Sequence, residues 1–112
     1  MKLVTAIVQP HALAEVQLAL AKHDVNGMTV TETSGYARQR GHSEVYRGEE
    51  FTIDFILKVK IEILCADEES DEIVDLIAST ARSGQIGDGK VWVTPVDQVV
   101  RIRTGEVGAA AI

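Results

Sequence analysis

No disulfide can close within this chain, because Cys65 is its only cysteine. That composition suits a reducing compartment. Cys65 sits in the apolar run around Ile63, which predicts a buried, inert thiol. Positive charge is scarce: 11 basic residues face 17 acidic ones, for a net charge of −6. Such a balance excludes a binder of nucleic-acid backbone and disfavours an anionic membrane surface. It leaves room for a small polyanion only where cations are gathered locally. Aromatic residues are only 4% of the chain, too few for a stacking platform of the RNA-recognition type. No apolar run is long enough to span a bilayer, and the N-terminal stretch is too short for a signal peptide. The expectation is a cytoplasmic chain, with no insertion of its own into a membrane.

Catalytic patterns are missing too. His11, His23 and His42 have no zinc-ligand spacing and no cysteine partners. No nucleophile-elbow sequence is present, and the acidic pairs read as solvated surface. The expectation is that the chain is not an enzyme and holds no metal of its own.

What is present is ordinary for a small globular protein: 112 residues, enough for one domain, with 46% apolar composition. Residues 2–8 are β-rich, apolar on both faces and bounded by Pro10, which predicts a central strand. Residues 11–23 carry Leu13, Val16 and Leu20 at helical spacing. Asp24-Val25-Asn26-Gly27 supplies turn chemistry, and residues 28–33 alternate as a half-exposed strand. Residues 34–54 lack apolar periodicity and read as a loop of unusual length, with tyrosines and arginines suited to protein contacts. Residues 55–66 alternate again, with Val59, Ile61 and Ile63 on one side. Asp67, Glu68, Glu69 and Ser70 open a second helix, whose buried stripe runs through Ile73, Val74, Ile77, Ala78 and Ala81. Residues 90–93 form another strand, 99–103 another extended stretch, and the small-residue tail 105–112 reads as mobile or ordered only by ligand. The order strand, helix, strand, loop, strand, helix, strand predicts an α+β, ferredoxin-like βαββαβ fold with an antiparallel sheet.

Three features could carry chemistry. Gly84, Gly87 and Gly89 lie within six residues, just before Lys90. Glycines there allow sharp turns whose amides form an anion-binding concavity. The spacing is not that of a Walker A loop. Arg101 and Arg103, two residues apart on the expected extended stretch, would point their guanidiniums to one face, suited to phosphate oxygens. Arg38 in the long loop adds a third cation. Gln39 with Lys58, at the loop's far margin, could hold a small carboxylate. Taken alone, a lysine at a strand end is more often a solvated charge.

The stretches Gly27-Met28-Thr29-Val30-Thr31-Glu32, Gly41-His42-Ser43-Glu44-Val45-Tyr46-Arg47-Gly48, Lys58-Val59-Lys60-Ile61-Glu62, Ile86-Gly87-Asp88-Gly89-Lys90-Val91-Trp92-Val93 and Arg101-Ile102-Arg103-Thr104-Gly105-Glu106 follow one another in order. In them the sequence resembles the PII nitrogen regulatory signal-transduction proteins over essentially its whole length. The resemblance implies a single domain over 1–112 that forms a homotrimer, with a T-loop at about 36–54, a B-loop at about 82–90 and a C-loop at about 102–112. It implies ATP or ADP, with Mg accompanying ATP, in clefts between subunits. Gly87, Asp88, Gly89 and Lys90 would hold phosphates together with the neighbour's Arg101 and Arg103. Arg38 would reach them from the T-loop base, and Thr29 and Leu64 would lie near the adenine. Gln39 and Lys58 would take 2-oxoglutarate. Tyr46 and Arg47 would face a partner, either an ammonium transporter or a metabolic regulator, so that the chain could reach a membrane through its partner.

Several positions depart from that pattern. Phe51 stands where many bacterial members carry a modified tyrosine, and without a phenolic oxygen that modification has no acceptor. Ala37 replaces a glycine and Leu57 a proline beside the expected 2-oxoglutarate positions, while Gln9 and Gln85 stand where lysines are common. These changes predict a weak or absent 2-oxoglutarate response. The alternatives are an acylphosphatase-type enzyme, for which Asn26 would be the only asparagine and lies in a turn, or a structural trimer without ligand sensing.

Overall fold

A computed structural model describes residues 1–36, 43–46, 49–52 and 55–112, with the backbone pairing alone for 43–46 and 49–52. Among these, the elements run β1 (Lys2–Val8), α1 (Leu13–Lys22), β2 (Thr29–Tyr36), β3 (Ser43–Tyr46), β4 (Glu49–Thr52), β5 (Phe55–Cys65), α2 (Ser70–Ala81) and β6 (Gly89–Pro95). The main sheet has the order β2-β5-β1-β6, and every pair in it is antiparallel. This is the expected ferredoxin-like α+β arrangement.

Alternation decides which residues are inside. Val4, Ala6 and Val8 of β1 stand in register with Ile63, Ile61 and Val59 of β5. All six are at most 5% exposed and meet Val16 and Leu20 of α1 and Ile73 and Ile77 of α2. Burying one such side chain fully contributes roughly 1.5–3 kcal/mol. Cys65 closes the same layer at 1% exposure. Burial first, then the charge of Glu69, pushes its thiol pKa up, so it is inert as expected. The helix α1 stops where Asp24 adopts a left-handed φ of 62°, letting the Val25 amide donate to the Leu20 carbonyl at 3.0 Å. A short 3-10 turn of Asp67–Glu69 precedes α2, tied by Ser70 Oγ to the Asp67 carbonyl at 3.0 Å.

Among the described residues, α1 and α2 both lie on that side of the sheet and leave the other face without either of them. Leu3, Thr5 and Ile7 of β1 alternate onto it, beside Leu64 of β5 and Trp92 of β6. Leu64 is 41% and Trp92 43% exposed.

Three expectations are corrected. Strand pairing extends into the region read as loop: β2 runs to Tyr36 and pairs with β5 through Tyr36↔Phe55, while β3 pairs with β4. Backbone ladders need no apolar alternation, which is why periodicity missed them. Residues 99–103 are not an extended strand with both arginines on one face. They form one side of a tight hairpin, with a single bridge at Val100↔Val107 and a turn at 102–104. The tail is not without structure, since Gly108–Ala111 makes a 3-10 turn and Ala111 is 9% exposed. Gly105 and Gly108, each at φ 75°, permit the path.

Candidate functional site

The glycine loop joins the end of α2 to the start of β6. Gly84, Gly87 and Gly89 all take positive φ, at 86°, 102° and 103°. At Gly89 the requirement is steric as well: a Cβ would sit 1.7 Å from the Ile7 carbonyl oxygen of β1. The loop is therefore pressed against the sheet where β6 begins.

Asp88 holds the loop's shape. Its carboxylate accepts from the Ser83 amide at 2.8 Å, the Gly84 amide at 2.9 Å and the Ser83 hydroxyl at 2.5 Å. The Ser83 hydroxyl bond first, then the backbone amides, hold the Asp88 carboxyl below the usual carboxylate range. An anion from outside would meet those two amides already taken by a negative group. Gly87, Gly89 and Lys90 lie further along, where the loop runs into β6.

Lys58 is the second part of the site. It is 7% exposed, so the solvated-charge reading of this residue is corrected by its burial. Its Nζ donates to the Gly87 carbonyl at 2.5 Å. An ammonium has three donors, and this is the one bond to it among the described residues. Among the described residues, then, a nearly buried cation is left with two donors beyond the glycine loop, a setting suited to an anion. Next to the loop a cleft of about 500 Å³ opens between α2 and β6, lined in part by Val8, Ala81, Arg82, Asp88 and Lys90.

The remaining candidates lie elsewhere. Leu64 pairs with Leu3 and so lies on the uncovered face toward the start of β1, while Thr29 pairs with Glu62 and lies on the same face level with Thr5, the strand's middle residue. Gly89 pairs with Val8 at that strand's other end. Five residues of strand separate the levels of Leu3 and Val8, about 17 Å. Residues after β6 leave from the Leu64 end too, since Pro95 pairs with Lys2 and the Val96 amide donates to the Met1 carbonyl. Arg101 and Arg103 come later in the chain and do not line the cleft of Lys90. Arg101 is clasped by its own hairpin: Nη1 donates to Glu106 Oε1 and Nη2 to the Ile112 carbonyl, each at 3.1 Å. Arg103 has no hydrogen bond or ion pair among the described residues. Arg38, Gln39 and Arg47 lie outside the described residues, as does Ala37. Tyr46 and Phe51 fall in β3 and β4, described by their pairing alone. No cluster of metal-ligating side chains occurs among the described residues.

Two residues with clear roles were not among the sequence candidates, Ser83 and Glu106. Each serves a partner five positions away through a turn, and no periodic pattern marks such a pairing.

These features define a ferredoxin-like α+β domain with a glycine loop at one end of its sheet, beside Lys58 and Lys90. The family described as nitrogen regulatory protein P-II matches residues 1–106. The chain is 47% identical to nitrogen regulatory protein GlnK of Escherichia coli (strain K12) over 112 residues, all of both chains. It is 50% identical to nitrogen regulatory protein P-II of Microchaete diplosiphon and 48% to that of Rhizobium meliloti (strain 1021), again over the whole of each chain. The chain belongs to the P-II family of nitrogen regulatory signalling proteins. None of the helices among the described residues is long and apolar enough to cross a membrane.

Proposed function

We propose that this protein is a cytoplasmic homotrimer that binds ATP or ADP, with Mg accompanying ATP, at the boundaries between its subunits. It reports the bound nucleotide to partner proteins through residues 36–54. One observation supports this above others: the glycine loop with its lysines and the root of the arginine hairpin leave the sheet at opposite ends of β1. Gly87, Gly89, Lys90 and Lys58 are at the Val8 end of β1, whereas Leu64 and the point where the chain leaves β6 toward Arg101 and Arg103 are at the Lys2 end. A site in two remote halves is completed head to tail by a second copy, and a head-to-tail contact that closes gives a ring. The uncovered sheet face with Trp92 and Leu64 supplies apolar surface for such an assembly.

In this reading Lys90 and the neighbour's arginines neutralise the phosphates, Thr29 and Leu64 of the same neighbour flank the adenine, and Asp88 keeps the loop in shape. Arg38 adds its charge from residues 36–54. Tyr46 and Arg47 meet the partner, an ammonium transporter or a protein of nitrogen and carbon metabolism, and through a transporter the protein reaches the membrane. Gln39 and Lys58 mark the 2-oxoglutarate positions, where the response is weak or absent because of Ala37 and Leu57. Phe51 leaves the usual tyrosine modification without an acceptor. The protein regulates and does not catalyse.

Complementation tests the shared site. Lys90→Gln and Arg103→Gln homotrimers each lose ATP affinity in calorimetry. Every mixed trimer of the two contains one boundary with both native groups, so co-expression restores tight binding to a fraction of sites. No restoration in verified mixed trimers means that the two residues do not share a site.

A further inference from the structure

Arg101 and Arg103 differ in their surroundings although they are two residues apart. Arg103 is exposed and has no partner among the described residues. Both terminal nitrogens of Arg101 are occupied, one by the Glu106 carboxylate and one by the Ile112 carbonyl. That fork is the part of an arginine that grips phosphate oxygens in pairs. The hairpin setting this geometry is held by backbone bonds: Arg101 amide to Glu106 carbonyl at 2.9 Å, Gly105 amide to Arg101 carbonyl at 2.7 Å, and Gly108 amide to Val99 carbonyl at 2.9 Å. The Glu106 amide also donates to Thr104 Oγ1 at 3.2 Å. The Glu106 carboxylate takes no part in any of these bonds, so what it contributes is the ion pair.

We infer that Glu106 is an internal competitor for the nucleotide: its carboxylate occupies Arg101 until a phosphate displaces it. The inference rests on the reading of Arg101 as a phosphate ligand for the neighbouring subunit's loop. Glu106 is thereby a positioning residue that sets affinity through Arg101 without touching the ligand. Side-chain exposures of 35% for Arg101 and 44% for Glu106 put the pair at the surface, where exchange of one anion for another is cheap. Arg103 engages the ligand directly, whereas Arg101 joins only by leaving its carboxylate. The negative charge that holds Arg101 also opposes an approaching phosphate, so both effects of Glu106 weaken binding.

The test is a double-mutant cycle read by ATP calorimetry on the intact protein: native, Glu106→Gln, Arg101→Gln and the pair together. Removing the competitor in Glu106→Gln tightens ATP by about two- to fivefold, the worth of a surface ion pair. In the Arg101→Gln background the same change has no effect, because there is no guanidinium left to release. Glu106→Ala repeats the cycle without an amide that could take the carboxylate's place. Protection of the Gly105 and Gly108 amides from exchange verifies that the hairpin persists. Equal or weaker binding by Glu106→Gln overturns the inference. A gain that survives without Arg101 overturns it too, since it would be plain charge repulsion. If the native protein binds no ATP, the nucleotide reading fails and takes the clasp with it. If the native protein binds and the cycle is flat, the clasp alone fails.

Discussion

Alternate residues of the same strands build the two faces of the sheet, and the faces have different fates. Toward the helices, Ile61 and Ile63 are at most 2% exposed, and their neighbours come from the same chain. Toward the other side, Leu64 and Trp92 keep 41% and 43% of their surface. A strand's period of two sorts side chains but does not say whether each set will find cover. The first face is completed by α1 and α2. The second keeps its apolar side chains in reach of solvent among the described residues, and in the proposed trimer it is where another copy would bury them.

The largest effect is expected on the finished face. Ile61→Ala removes buried methyl groups from the centre of the core and should cost about 2–5 kcal/mol in denaturant unfolding. A cost under 1 kcal/mol would mean that this layer is not the core it appears from its burial. Trp92→Glu acts on the other face. It places a charge where assembly needs apolar contact, so sedimentation should show a shift from trimer toward single chains. In the native protein the emission of Trp92, the only tryptophan, should move to longer wavelength as dilution separates the subunits. An unchanged mass for Trp92→Glu would show that this face is not what joins the copies.

The smallest effect concerns the glycine loop, which belongs to neither face. The Asp88 carboxyl titrates below its ordinary value because the Ser83 hydroxyl and the nearby amides favour its charged form. A depressed folded-state pKa gives a stabilisation that is complete above the unfolded value and lost as pH falls through the folded one. The Gly84 amide resonance should therefore hold steady near neutrality and shift only in acid, below the normal aspartate range. In Asp88→Asn that titration should disappear. A Gly84 shift near neutrality would place some other group in the loop.

Much of this was readable in the residues. Val59, Ile61 and Ile63 announced their strand and its inner side by alternation, and Ile73 and Ile77 did the same for α2 by helical spacing. The glycine cluster before Lys90 marked the loop. What stayed hidden depends on backbone geometry or on distance along the chain. Arg101 and Arg103 look like neighbours on one face until the turn at 102–104 separates their roles. Lys58 looks like a solvated strand end until folding brings it to Gly87, 29 residues away. The pairing of β2 with β5 out to Tyr36 is carried by peptide groups, which every sequence has.

Gly89 has a consequence for inheritance. Every other amino acid brings at least a Cβ, and no Cβ fits 1.7 Å from the Ile7 carbonyl oxygen. In a saturation library selected for folded protein, this codon should return only its synonyms, whereas Gly27, with nothing within 4 Å of where a Cβ would stand, should return many residues.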